Sequence, residues 1–92
     1  MQVLESRIQA KTVAYAKKLG YLVLRLNYGG WPDRLFVTPN GGHVYVEFKR
    51  PGSYASPLQR VRHEELRRRG CEVHLVSTYE QGVEVLNAHL ET

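Results

Sequence analysis

Two acidic residues and a lysine stand at spacings that could support chemistry on a phosphate. Asp33 follows two glycines, a tryptophan and a proline in "GGWPDR", and "VEFK" places Glu47 two residues before Lys49. Alternate residues of a strand point to the same face of a sheet, so Glu47 and Lys49 share a face if "HVYVEFKR" is a strand. A solvated strand face is the commoner reason for such a pair. The pair therefore needs a third group before it indicates a site.

The hairpin that contains Glu47 supplies this third group, because it brings Asp33 close to Glu47. Asn40-Gly41 tolerates positive φ at both residues and predicts a two-residue turn between "LFVT" and "HVYVEFKR". With this turn, Phe48 lies opposite Asp33. A register shifted by one residue stays open, because Pro39 has no N–H to close such a turn. In either register Asp33 lies beside Glu47 across the ladder.

Two neighbouring carboxylates repel each other unless a positive charge lies between them. Lys49 can offset part of this repulsion, and a divalent cation would offset more of it. Carboxylate oxygens with an adjacent backbone carbonyl suit a hard ion such as Mg²⁺ or Mn²⁺. Such an ion can polarise a phosphodiester and acidify a water, while the lysine orients that water or stabilises the developing charge. The residues therefore favour metal-dependent hydrolysis of a phosphodiester.

The elements that must position these residues follow from the periodicity of the chain. Apolar residues at steps of three and four predict a first helix over residues 3–19, and "YLVLRL" predicts the first strand. "LFVT", "HVYVEFKR" and "CEVHLVS" predict three more strands. Ser56 and Pro57 predict the start of a second helix that ends before Gly70, and Ser77 or Thr78 precedes a third. The order is α-β-β-β-α-β-α.

This order predicts an α/β fold with a mixed four-stranded sheet. The connection from the third strand through the second helix to the fourth strand is a crossover, which makes those two strands parallel. The hairpin makes the second and third strands antiparallel. The first two helices are expected to cover the faces of the sheet.

Length and composition limit the class of protein. A chain of 92 residues with 42% hydrophobic residues predicts one globular domain over residues 1–92. Cys71 is the only cysteine, which excludes an internal disulfide and a Cys-rich zinc site. We find no signal peptide and no apolar run of transmembrane length, so we expect a soluble intracellular protein with no membrane partner. The net charge of +4 favours a polyanionic partner such as nucleic acid.

Other catalytic classes find little support in the chain. The four histidines show no pairing at metal-ligand spacing, no serine stands in a nucleophile elbow, and no glycine pattern forms a phosphate-binding loop. We therefore expect neither covalent catalysis nor a nucleotide cofactor.

The ordered set of motifs resembles the VRR-NUC domain of the PD-(D/E)XK nuclease superfamily. Its parts are Glu5 in the first helix, a G-x-P-D element in "GWPDR", an E-x-K element in "VEFK" and Gln59 at the opening of the next helix. The resemblance covers nearly the whole chain. It implies that the chain folds into the core of that superfamily, with its helices and strands in the order predicted above.

The resemblance also implies roles for individual residues. Asp33 and Glu47 would be the metal-binding carboxylates, and the backbone carbonyl of Phe48 would be a further ligand. Lys49 would position or activate the attacking water.

Two further residues would assist, and each also has a structural explanation. Glu5 would reach the metal directly or through a water, but an acid in this place can also stabilise a helix N-terminus. Gln59 would orient the site or the scissile phosphate. It also stands three residues after Ser56, where a capping box requires it.

Basic residues lie around these motifs, mainly in "QRVRHEELRRRG". A solvated helix face with cations near its C-terminus would explain the last three arginines. Beside a nuclease site, a surface that follows phosphates is the better explanation, and it would select the shape of a nucleic acid more than its sequence. The candidates for nucleic-acid binding are Arg34, Arg50, Arg60, Arg62, Arg67, Arg68 and Arg69.

The resemblance implies a structure-selective endodeoxyribonuclease that depends on Mg²⁺ or Mn²⁺. Stand-alone members of the family occur in viruses, phages and bacteria and are similar to Holliday junction resolvases, so branched DNA is the expected substrate. The expected location is the cytoplasm, including that of a host cell infected by a phage or virus. A homodimer is expected, because two symmetry-related sites could cut two strands of a junction. A flap or duplex-end nuclease of the same superfamily and a catalytically silent nucleic-acid-binding module remain open as alternatives.

Overall fold

The computed structural model describes residues 4–90, which form three helices and four strands. The predicted element order is confirmed, while the predicted helix start at residue 3 lies outside the described residues. None of the described helices is long and apolar enough to cross a membrane. The elements are α1 (Glu5–Lys18), β1 (Leu22–Arg25), β2 (Arg34–Val37), β3 (His43–Phe48), α2 (Pro57–Arg68), β4 (Val73–Val76) and α3 (Tyr79–His89).

The four strands form one mixed sheet in the order β1-β2-β3-β4. β2 pairs antiparallel with β1 and with β3, and β4 pairs parallel with β3. The prediction of a mixed four-stranded sheet is confirmed. β3 has a paired strand on each side, so its backbone is a rigid support for the residues it carries.

The turn between β2 and β3 differs from the predicted two-residue turn. The N–H of Thr38 donates to the carbonyl of Gly42 at 2.7 Å, and the N–H of Gly41 donates to the carbonyl of Thr38 at 3.0 Å. Three residues therefore form the loop. Gly41 has φ of 90°, the left-handed conformation that the last position of such a loop requires.

The longer loop shifts the hairpin register by one residue. Arg34 pairs with Val46, so the predicted pair of Phe48 with Asp33 is wrong. Continuing the ladder by one residue places Asp33 across from Glu47. The proline in the turn explains the shift, because it lacks the N–H that a two-residue turn would use.

One face of the sheet carries the apolar core. Val44, Val46 and Phe48 point to this face from β3, and each is at most 1% exposed. They pack against α1 and α3, which contribute Ile8, Ala16 and Leu86 to the same buried cluster. The helices α1 and α3 therefore cover the apolar core on this face of the sheet.

The opposite face is covered by α2 over only part of its area. Glu47 points to this face and contacts Gln59 and His63 of α2. Toward the β1 edge the same face stays open, since Leu22 is 59% exposed and Leu24 is 41% exposed. The candidate site lies in the layer between the sheet and α2.

Candidate active site

Asp33 is held in place through its backbone and through its side chain. Its carbonyl accepts a hydrogen bond from the N–H of Leu26 at 2.9 Å, which continues the β1–β2 ladder past the ends of the strands. Its Oδ2 accepts a hydrogen bond from the N–H of Phe48 at 2.8 Å. The carboxylate is thereby fixed beside β3, next to Glu47.

The loop before Asp33 reaches this position by lying closely on α2. Gly30 has φ of 82°, and a Cβ at that residue would lie 2.6 Å from Cγ of Leu58. A larger side chain would therefore separate the loop from the helix. The guanidinium of Arg62 lies over the ring of Trp31, 5.1 Å from its centroid, and adds a second contact between loop and helix.

Glu47 is an acid buried on an interior strand, with 2% of its surface exposed. Its Oε2 accepts a hydrogen bond from Nε2 of Gln59 at 3.2 Å and lies 3.9 Å from Nζ of Lys49. Its Oε1 lies 3.7 Å from Nε2 of His63 and has no hydrogen-bond partner among the described residues. A buried oxygen without a partner is costly, so the pocket favours a proton or a cation at this atom.

The protonation of Glu47 follows from these surroundings. Burial and, after it, the charge of Asp33 raise the pKa of Glu47 to about 8, although the ammonium of Lys49 opposes the shift. The metal-free chain thus keeps this acid protonated at neutral pH. A divalent cation between the two acids would favour the ionised form instead, because it replaces repulsion by attraction.

The oxygen atoms around Glu47 fit a hard divalent cation. The carboxylates of Asp33 and Glu47 are neighbours, and one oxygen of Glu47 is unpaired among the described residues. In a strand, the N–H and the C=O of one residue point to the same neighbouring strand. The N–H of Phe48 points to Asp33. The carbonyl of Phe48 therefore faces the same side as Asp33. Such all-oxygen groups are the ligands that Mg²⁺ and Mn²⁺ prefer.

Gln59 contacts the start of α2 and the candidate site at the same time. Its Oε1 accepts a hydrogen bond from the N–H of Ser56 at 2.8 Å, and its N–H donates to Oγ of Ser56 at 3.2 Å, which completes the capping box. Its Nε2 remains to donate to Glu47. The capping box and the place in the site are thus compatible.

Glu5 lies at the first turn of α1 and within electrostatic range of the site. Its charge contributes to the raised pKa of Glu47. It is also the acidic residue of a helix start that has no side-chain cap. The geometry leaves room for both explanations of Glu5.

The arginines proposed for nucleic-acid binding lie in different environments. Nε of Arg34 donates to Oε1 of Gln9 at 2.7 Å, and Arg62 packs on Trp31, so these two half-buried arginines have roles in packing. Arg68 pairs with Glu64 at 3.6 Å in an exposed contact that contributes little to stability. Five of the proposed arginines are exposed: Arg50, Arg60, Arg67, Arg68 and Arg69.

His63 lies at the site although the sequence did not indicate it. It is 3% exposed and faces Glu47 from α2. Burial lowers the pKa of His63, and the positive charges of Arg67 and Lys49 lower it further. The available signal was its spacing, because His63 follows Gln59 by four residues and so lies on the same helix face.

The mixed sheet, with its helix order and its acid-bearing hairpin, is the core of a PD-(D/E)XK nuclease. Comparison with known proteins agrees with this class. The chain is 35% identical over 72 residues to "Putative nuclease p44" of Acyrthosiphon pisum secondary endosymbiont phage 1, and the match covers 75% of this chain and 77% of that protein. No family model matches the chain.

A solved structure of a VRR-NUC domain is also similar. It matches with a TM-score of 0.82 at 33% identity, over 90% of this chain and 94% of that chain. The chain belongs to the VRR-NUC family of nucleases.

Proposed function

We propose that this nuclease is a metal-dependent endodeoxyribonuclease that cuts branched DNA, with Holliday junctions as the preferred substrate. The observation that carries the proposal is the buried carboxylate of Glu47, which has an unpaired oxygen among the described residues and lies beside Asp33 and Lys49. A purely structural acid in a dry layer would be paired on both oxygens. This arrangement is better explained by a cation and a phosphate that enter the site.

The proposed cation is Mg²⁺ or Mn²⁺. Asp33, Glu47 and the carbonyl of Phe48 would hold it, and Glu5 would reach it directly or through a water. When bound, the cation supplies Lewis-acid activation of the phosphodiester and of the attacking water.

The side chains around Glu47 supply orientation and positive charge. Gln59 donates to one oxygen of Glu47 and His63 lies against the other, so the carboxylate has little freedom to rotate. The ammonium of Lys49 lies 3.9 Å from Oε2 of Glu47 and is only 17% exposed. In this partly dry position its charge acts strongly on a water or on a phosphate that becomes more negative.

The selection of branched DNA is supported by the position of the exposed cations. Arg50 follows Lys49 directly and is exposed, and α2 carries the exposed Arg60, Arg67 and Arg68. Contacts of arginine with phosphate determine register and orientation without reading base sequence. The path of the backbone at a branch, rather than a base sequence, would then determine where cleavage occurs.

The proposed active form is a homodimer, and the open half of the sheet supports it. Leu22 and Leu24 are exposed on the face that also carries Glu47, next to a groove of about 310 Å³ lined by Leu26, Tyr28, Trp31, Tyr45 and Leu66. A second copy packed here would bury apolar surface and bring two sites to one assembly. Light scattering should then show a dimer for the wild type and a monomer for Leu24→Glu.

The activity is tested with labelled four-way junction, flap and plain duplex, each with Mg²⁺, Mn²⁺ or EDTA. We expect metal-dependent cleavage that prefers the junction and is lost in Asp33→Asn. Glu80→Gln, which changes an exposed acid at the start of α3, is the matched control and should cleave as the wild type does. Binding of DNA without cleavage under both metals would support the silent binding module. Equal cleavage of duplex and junction would contradict the branch preference, and only the metal-dependent nuclease activity would stand.

A further inference from the structure

A second cluster of potential metal ligands lies away from the nuclease site. His74 pairs with Val46 in the parallel ladder, so its side chain points to the α3 face of the sheet, opposite to Glu47. Glu72 lies two residues before His74, and His89 is the last residue of α3. Chain spacing alone did not show this cluster, because the two histidines stand fifteen residues apart in the sequence.

The three side chains converge at distances that suit a transition-metal ion. Nε2 of His74 lies 3.2 Å from Oε2 of Glu72, and Nε2 of His89 lies 4.0 Å from the same oxygen. One ligand atom from each residue lies within 4.8 Å of the others. Tetrahedral zinc with bonds of about 2.1 Å separates neighbouring ligand atoms by roughly 3.4 Å. Closing the cluster around an ion thus needs movements of at most roughly 1.5 Å.

The orientation of His89 is set by the end of α3. Its Nδ1 lies 2.9 Å from the carbonyl oxygen of Val85, which can only accept a hydrogen bond, so Nδ1 carries the proton. In the neutral ring, Nε2 then carries the lone pair that a metal ion can bind, and it lies 4.0 Å from Oε2 of Glu72. The same backbone bond orients the histidine ligands of known metal sites.

We propose that Glu72, His74 and His89 bind one Zn²⁺ ion, separately from the cation proposed for the nuclease site. Two imidazoles and one carboxylate are a zinc donor set, whereas Mg²⁺ prefers oxygen ligands alone. Both histidines line a groove of about 330 Å³ between β4 and α3, which leaves a fourth ligand position open to water or to a small anion. The ion would tie the end of α3 to the edge strand β4. This site goes beyond the nuclease function and does not depend on it.

The test is Zn²⁺ titration by calorimetry on untagged protein that carries Asp33→Asn and Glu47→Gln, because these changes remove the carboxylates of the nuclease site. We expect one Zn²⁺ per chain. His74→Gln or His89→Gln in this background should weaken binding at least about 10-fold, since even the loss of an outer partner of a metal ligand costs about 10 to 100-fold. His43→Gln, at an exposed histidine on β3, is the matched control and should bind as the parent does.

Thermal unfolding gives an independent measurement. Zn²⁺ should raise the melting temperature of the parent and of His43→Gln, but not of His74→Gln, because Zn²⁺ can link α3 to β4 only through the intact cluster. Glu72→Gln at a 62% exposed position provides a variant whose folding is not at risk. Zn²⁺ affinity that is unchanged in all three cluster variants would overturn the proposal. So would the absence of saturable binding to the parent at micromolar Zn²⁺.

Discussion

The two faces of β3 differ in burial and in chemistry. Toward α1 and α3, Val44, Val46 and Phe48 are at most 1% exposed and lie in an apolar cluster. Toward α2, Glu47 is 2% exposed and lies among polar and charged groups. One strand thus separates the layer that stabilises the fold from the layer that carries the candidate site.

The difference shows where the molecule gives up stability. Three buried polar atoms without a hydrogen-bond partner among the described residues belong to the α2 layer: Oε1 of Glu47, Nε of Arg62 and Nε2 of His63. Each such atom costs free energy that a purely structural layer would avoid. We infer that apolar burial on the other face offsets this cost. The polar atoms of the α2 layer then remain available to the proposed cation and phosphate. Substitutions on the two faces should therefore separate stability from activity.

The largest effect should follow from a cavity on the apolar face. Phe36→Ala removes a ring that is 0% exposed, and we expect a loss of about 3 to 5 kcal/mol in the free energy of unfolding. Leu75→Ala, at a side chain 39% exposed on the other face, should cost less than about 1 kcal/mol. Urea denaturation measures both values. Similar losses in the two variants would contradict the division of roles between the faces.

For Lys49 we expect the opposite result, a large loss of cleavage with little loss of stability. Lys49→Met keeps most of the side-chain volume but removes the charge near Oε2 of Glu47. Cleavage should fall about 100 to 1,000-fold, the usual cost of losing one preorganised charge or donor, while stability changes by less than about 1 kcal/mol. Single-turnover cleavage and urea denaturation test the two parts. Lys11→Met, at an exposed lysine of α1, serves as the control and should cleave normally.

The stability of the fold should depend on pH, because the pKa of Glu47 is raised to about 8 from its ordinary 4.5. Between these two values the folded chain binds a proton that the unfolded chain releases, so stability contributed by this proton falls as pH rises toward 8. Each unit of pKa difference corresponds to about 1.4 kcal/mol. In EDTA, the wild type should lose about 2 to 3 kcal/mol relative to Glu47→Gln between pH 6 and pH 9.

Chemical denaturation across this pH range measures that difference. Mg²⁺ or Mn²⁺ should reduce it in the wild type, because a bound cation favours the ionised carboxylate. Glu47→Gln should also be inactive at every pH. Parallel pH profiles for wild type and variant would show that Glu47 is already ionised in the metal-free fold.

The smallest effect is expected where the loop of Asp33 meets α2. Gly30→Ala introduces a Cβ 2.6 Å from Cγ of Leu58 at a left-handed backbone position, and should cost about 1 to 3 kcal/mol. Cleavage should fall further than stability alone explains, because the loop positions one of the two acids. The neighbouring Gly29→Ala meets no atom within 4 Å and is the matched control. Equal cleavage by both variants would show that the close approach of the loop does not position Asp33.

Much of the fold could be predicted because its signals are local. The capping box of Ser56 and Gln59 lies within four residues and starts α2 as predicted. The alternation of β3 put Glu47 and Lys49 on one face, and the parallel crossover to β4 followed from the element order. The turn was wrong by one residue, since a proline beside Asn40-Gly41 allowed two loop lengths that local rules weigh almost equally.

The sequence by itself determined the element order, the face that Glu47 and Lys49 share, and the motif set that indicates a nuclease, because each element and each single motif is defined by neighbours within a few residues. Only the tertiary structure decided that His63 closes the buried side of Glu47 and that His74 meets His89 beside Glu72. Those contacts depend on the register of the sheet and on how each helix lies across it. Both are settled when distant segments pack together, and neither is encoded in the spacing of the residues along the chain.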